Sequence, residues 1–184
     1  MPRRKITAGE RSLLRRVFEE TLPYAKLDVA TNDHNIGGKT NSITPEDVPY
    51  LSTEIRCEDF DGPSVLKSYQ GTFIHEFVHV WQHYHGVHKL LGAAWQYVRH
   101  GGDYDEAYWY DLADSNDLTD YNLEQQAAII EDFWRINNGL ATSRNKGAIT
   151  GRDVYYRFAE QLRSAGPPHT PWGQRMEWVG PNVK

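Results

Sequence analysis

The sequence predicts an α+β domain that is mostly α, with a small β element on the N-terminal side of a central helix. Three observations carry that expectation. Apolar residues recur at helical spacing through most of the chain after residue 63. Pro, Asn and Asp turn signals crowd residues 23–62, and no internal repeat runs along the chain. A length of 184 residues suits one domain, placed at 1–166, followed by an irregular tail over 167–184 that carries Trp172 and Trp178.

The elements follow in order. Thr7 and Glu10 have capping-box spacing, and Leu13, Leu14, Val17 and Phe18 supply an apolar stripe, so a helix is expected over Thr7–Glu20. Short strands are expected near Lys26–Ala30 and Tyr50–Arg56, with a turn at Asn35-Ile36-Gly37-Gly38. The pattern becomes helical and strongly apolar from Pro63 to about His85, and again over Leu90–Arg99, where Gly101-Gly102 stops it. Residues 102–120 are aromatic and acidic and predict loose order or partial helix. Asp120 is the expected cap of a helix over Tyr121–Asn137, ended by Asn138-Gly139. A last helix is expected over Arg152–Arg163.

Composition narrows the function. Hydrophobic residues make up 39% and charged residues 24%, as in ordinary globular proteins. The net charge of -5 argues against general nucleic-acid binding, which needs a basic surface. No run approaches the roughly 18 apolar residues of a membrane span. Cys57 is the lone cysteine, which excludes an internal disulfide framework and a cysteine-based metal site. The start has no apolar h-region, so the expectation is synthesis in the bacterial cytoplasm and any export by a route without a cleaved signal peptide.

Five of the eight histidines fall between positions 75 and 88. Within Thr72-Phe73-Ile74-His75-Glu76-Phe77-Val78-His79-Val80-Trp81-Gln82, His75-Glu76-x-x-His79 is the HExxH zincin signature. Residues four apart on a helix lie one turn apart on one face, so two imidazoles can point at one metal ion. Glu76 follows the first ligand and can serve as general base toward a water whose pKa zinc lowers to about 7. Ile74, Phe77, Val78 and Trp81 form a core stripe on the same helix, which leaves the histidines at a cleft wall. The bland alternative is two hydrogen-bonded histidines at a core boundary with Glu76 on the surface.

A catalytic zinc needs a third protein ligand and an open position. His85 has the spacing of a metzincin ligand. However, Gln82 stands where that pattern turns the chain with Gly, and a continuing helix points His85 elsewhere. The second route is a glutamate from the later helix. Leu123, Ala127, Ile130 and Trp134 form its core stripe, with Glu124 just off the stripe and Glu131 two turns on as its competitor. An acidic residue in a first helical turn is also favourable with no metal at all.

The Phe73–Gln82 motif, followed by Asp120-Tyr121-Asn122-Leu123-Glu124-Gln125-Gln126, resembles small bacterial Rhs- and Vgr-related proteins. The opening Ile6-Thr7-Ala8-Gly9-Glu10 is similar to theirs as well, so the resemblance reaches to about residue 138. It implies a zincin-like, gluzincin-type metallopeptidase domain associated with contact-dependent or type VI secretion. It also implies His75, His79 and Glu124 as Zn2+ ligands and Glu76 as base. The Glu124-x-x-Ala127 pattern resembles other gluzincin-type peptidases and supports the same third ligand.

The function expected is therefore zinc-dependent hydrolysis of peptide bonds by a secretion-system effector. Its partners would be a peptide or protein substrate and a secretion component or inhibitor protein. The alternatives are a non-catalytic, metal-stabilised adaptor or chaperone of a secreted toxin, and a peptidoglycan amide hydrolase. Tyr104, Tyr108, Tyr110, Tyr121 and His100 are oxyanion donors by type, and Asp132 or Asp111 are candidate acceptors for a ligand's second N–H. The acidic aromatic segment 103–120 is either a cleft wall favouring basic or aromatic side chains or a solvated cap.

Overall fold

In the computed structural model of the chain, residues 3–31, 42–86, 105–148 and 151–168 are described. The opening helix, α1 (Ala8–Phe18), begins where its capping box fixes it. The Thr7 hydroxyl accepts from the Glu10 N–H at 2.9 Å, and the Glu10 carboxylate accepts from the Thr7 N–H at 2.8 Å. That carboxylate is buried and also takes a two-pronged contact from Arg4 at 2.7 and 2.8 Å. One group thus caps α1 and pins β1 (Arg4–Lys5) beside it.

A three-stranded sheet follows. β2 (Asp28–Thr31) is its buried centre, antiparallel to β1 and parallel to β3 (Tyr50–Leu51). The strand expected over Tyr50–Arg56 is shorter than the pattern suggested. The Ser52 hydroxyl accepts from the Glu54 N–H at 3.2 Å and starts a 3-10 turn over Thr53–Ile55, which takes the backbone out of the ladder. The expected turn at 35–38, the expected helix at 90–99 and the tail from 169 onward lie outside the described residues.

The central helix α2 (Lys67–Tyr84) is buried on every side from Phe73 to Gln82, as a helix at the middle of a core must be. It packs against α3 (Leu123–Asn137), which packs in turn against α4 (Arg152–Ser164), and α1 touches both α2 and α4. Tyr155, Phe158, Ala159 and Leu162 give α4 its buried stripe. The cap of α3 is not Asp120, which ends a 3-10 turn over Leu118–Asp120. Asn122 caps instead, because its side chain accepts from the Gln125 N–H at 2.9 Å while Gln125 accepts from the Asn122 N–H at 3.1 Å. The expected C-terminal stop holds, with Asn138 as cap and Gly139 at φ 76.

Asp132, fully buried on α3, ties two loops to the helix. Its carboxylate accepts from the Tyr110 hydroxyl at 2.7 Å, the Ser143 N–H at 2.6 Å, the Ser143 hydroxyl at 2.9 Å and the Arg144 N–H at 3.2 Å. Four donors satisfy a carboxylate that would otherwise be costly to bury. Removing the phenol oxygen with Tyr110→Phe takes away one of them and also one partner of the Tyr155 hydroxyl, 2.9 Å away. The expected loss is about 1–3 kcal/mol of unfolding free energy, read by urea denaturation. An unchanged midpoint would show that this network contributes nothing to stability.

Candidate metal centre

Three chemically suitable side chains converge where α2 crosses α3. One ligand atom from each of His75, His79 and Glu124 lies within 4.8 Å of the others. The Glu124 Oε2 atom stands 3.4 Å from His75 Nε2 and 3.2 Å from His79 Nε2. A tetrahedral ion held at about 2.0–2.2 Å by nitrogen and oxygen donors puts neighbouring donors about 3.3 Å apart. The observed separations therefore fit a zinc-like ion, as does the donor set of two imidazoles and one carboxylate.

The far side of each imidazole is held as well. His79 Nδ1 is 2.8 Å from Gln82 Oε1, and an amide oxygen can only accept, so the imidazole donates from Nδ1. That leaves the lone pair of a neutral ring on Nε2, facing Glu124. Gln82 is fixed in turn by donating to the Leu123 carbonyl at 3.1 Å and to Gln126 Oε1 at 3.0 Å. His75 Nδ1 lies 3.3 Å from Glu131 Oε2, a close ionic approach without an aligned hydrogen bond. Orienting partners of this kind raise the affinity of histidine metal sites.

Glu124 and Glu131 thus take different positions. Glu124 faces both Nε2 atoms, while Glu131 sits behind His75. Gly71, one turn before His75, makes room, since a Cβ there would come within 3.3 Å of Glu131 Oε1. Asp132 and Asp111 do not serve the histidines. Asp132 is occupied with Tyr110, Ser143 and Arg144, and Asp111 accepts from the Ala113 N–H. Thr44, Gln82, Glu131 and Gly71 in these positioning roles were missed from the sequence.

Electrostatics bind the cluster together. Burial opposes a charge on His75, but Glu124 and Glu131 outweigh it and push its pKa up to about 10. Burial likewise opposes the His79 charge, and Glu124 raises its pKa. For Glu124, burial works upward, yet His79 and His75 hold the carboxyl well below the usual carboxylate range. Metal-free, His75 is an imidazolium beside the buried Glu124 carboxylate.

Glu76 is not one of the three converging side chains. It is buried, and its Oε2 accepts from the Thr44 hydroxyl at 2.7 Å. Burial raises its pKa, against the pull of the two histidines and the Thr44 bond. It is not a surface residue.

His85 is apart from the cluster: it caps α2, stacks on Trp81 at 4.4 Å between ring centroids and has Nε2 3.0 Å from the Thr21 carbonyl. Of the oxyanion candidates, Tyr110 is engaged with Asp132, and the Tyr121 hydroxyl is bound among the backbone groups of Asp111 and Ser115. Tyr108 lies beside the site, its ring centroid 5.6 Å from that of His75. His100 and Tyr104 lie outside the described residues. Burial pushes the Cys57 thiol up to about 11, which fits a packing residue and not a nucleophile.

No protein-family model matches the chain. Over 150 residues, 80% of its length, it is 36% identical to the type VI secretion system spike protein VgrG2b of Pseudomonas aeruginosa, and it spans 14% of that protein. The solved effector domain of Pseudomonas aeruginosa VgrG2b superposes with a TM-score of 0.63 and 33% identity, over 85% of this chain and 82% of that one. Most of both domains is thus shared, in sequence and in fold. The chain belongs to the family of the VgrG2b effector domain.

Proposed function

We propose that this chain is a zinc-dependent metallopeptidase domain and that it acts as a type VI secretion effector. The observation that carries the reading is the spacing of His75 Nε2, His79 Nε2 and Glu124 Oε2, which suits one tetrahedral ion, beside a buried carboxylate that takes no part in the trio. A purely structural metal site has no use for that carboxylate. Glu76 is held by one hydroxyl and is costly to bury, which favours a catalytic over an adaptor role.

Bound at this trio, zinc would supply Lewis acidity toward a scissile carbonyl and activate water. The chain's residues do the rest. His79 keeps its Nε2 lone pair available because Gln82 accepts its Nδ1 proton. Thr44 holds Glu76 through Oε2, which leaves Oε1 to take the proton of the attacking water and later deliver it to the leaving amine. Homology to the effector domain of a spike protein supports delivery in company with a secretion component, and a peptide or protein is the substrate class.

Zinc per chain, measured by elemental analysis on purified protein, tests the site. About one zinc is expected in the wild type, none in Glu124→Ala, and about 10- to 100-fold weaker binding in Glu131→Ala or Gln82→Leu. Zinc retained at full affinity in Glu124→Ala would overturn the ligand assignment.

Glu76→Gln is expected to keep its zinc and to lose activity on a denatured protein panel by about 10²- to 10⁴-fold. Undiminished turnover in that variant would sink the mechanism.

The histidine pKa values give a third check. Glu124 and Glu131 push the His75 pKa up to about 10 in the metal-free protein and Glu124 raises that of His79, so zinc must displace a proton from His75 at pH 7. Zinc uptake should release at least about one proton per chain, and affinity should fall as pH drops. Calorimetry in two buffers of different ionisation enthalpy reads this directly, and identical heats would contradict it.

A further inference from the structure

The segment beside the metal trio carries an unexpected charge. Tyr108 sits next to the trio, its ring against that of His75, and Trp109 follows it in the chain. Over these two rings lie cations from the loop after α3. The Arg144 guanidinium carbon is 5.4 Å from the Tyr108 centroid and 5.7 Å from that of Trp109, and Lys146 Nζ is 5.8 Å from Trp109. Arg144 is half-buried and Lys146 is exposed. Neither forms an ion pair with a carboxylate among the described residues, in a chain whose net charge is -5. Other arginines near α3 behave differently: Arg135 lies within 3.7 Å of both Glu131 and Asp132.

We infer that Arg144, supported by Lys146, is a specificity residue that receives a carboxylate of the substrate, an acidic side chain within a few residues of the scissile bond. The inference rests on the peptidase reading. Contact with two aromatic rings restricts the guanidinium, whose N–H groups suit a two-pronged contact with a carboxylate. Its backbone is fixed independently, by the Arg144 N–H donated to Asp132, so the fork has a rigid base. An extended peptide advances about 3.3–3.6 Å per residue. The span from His75 across Tyr108 to Arg144 therefore falls within a few residues of the bond being cut. Segment 103–120 is acidic by sequence, yet its aromatic part carries cations, so the preference at this edge is for acidic and not basic substrate residues.

The test uses zinc-loaded Glu76→Gln protein, which binds without cutting, and two dye-labelled hexapeptides, Ala-Ala-Glu-Leu-Ala-Ala and the same peptide with Gln for Glu. Fluorescence anisotropy should show roughly tenfold tighter binding of the Glu peptide at low salt, shrinking as salt screens the contact. Adding Arg144→Gln should erase the preference without changing zinc content or melting temperature. Arg144→Lys should keep part of it, as a charge without the fork. Equal binding of the two peptides, failure to bind either, or a preference that survives Arg144→Gln overturns the inference. Cleavage by the wild-type protein separates the two ideas. Cutting both peptides at equal rates would retain the peptidase and reject the Arg144 role. A preserved Arg144-dependent binding preference with no cleavage of any peptide would retain the contact and reject the peptidase.

Discussion

Everything at the centre of this protein depends on how closely α2 and α3 cross. The imidazoles come from one helix and the carboxylates from the other, and the crossing brings the two sets together. Gly71 allows Glu131 to lie over α2, and Glu124 at the start of α3 reaches both Nε2 atoms. Four partly opposed charges are thereby concentrated in a buried volume. Such a cluster is tolerable because each carboxylate has a basic partner, with Arg135 also near Glu131, and in the absence of metal His75 holds a proton.

The surroundings of the two imidazoles are unequal. His75 is backed by a carboxylate, His79 by a neutral amide that is itself anchored to the backbone of α3. The amide fixes a tautomer without adding charge, whereas the carboxylate makes its ring more basic. The centre therefore combines one electron-rich and one neutral imidazole.

What could be read from the sequence follows the range of the interaction. The His75-Glu76-x-x-His79 spacing, the Thr7 and Glu10 box and the stripes of α2, α3 and α4 are local, and local periodicity is enough to place them. Glu124 against Glu131 was not decidable locally, because both lie on one face of α3 and only the crossing of two helices tells which nitrogen each meets. Thr44 was invisible for the same reason: it reaches Glu76 from 32 residues away, out of a segment with no periodic pattern. The cap of α3 was legible but misread. Asn122 and Gln125 have capping-box spacing, and Asp120 drew attention only because it stands first. Short strands are poorly marked by pattern, and one serine hydroxyl was enough to end β3 early.

Asp132 gives the fold a further property, one that concerns how such a domain diversifies. It fastens the loop after α3 through the main-chain amides of residues 143 and 144, so the attachment at 144 does not depend on which side chain stands there. The same helix, one residue earlier, carries Glu131 against His75. Inheritance can therefore exchange the outward-facing residues of that loop freely while the histidine–glutamate cluster and the anchoring of the loop persist. Related effector domains can thus keep one buried cluster and differ along this rim.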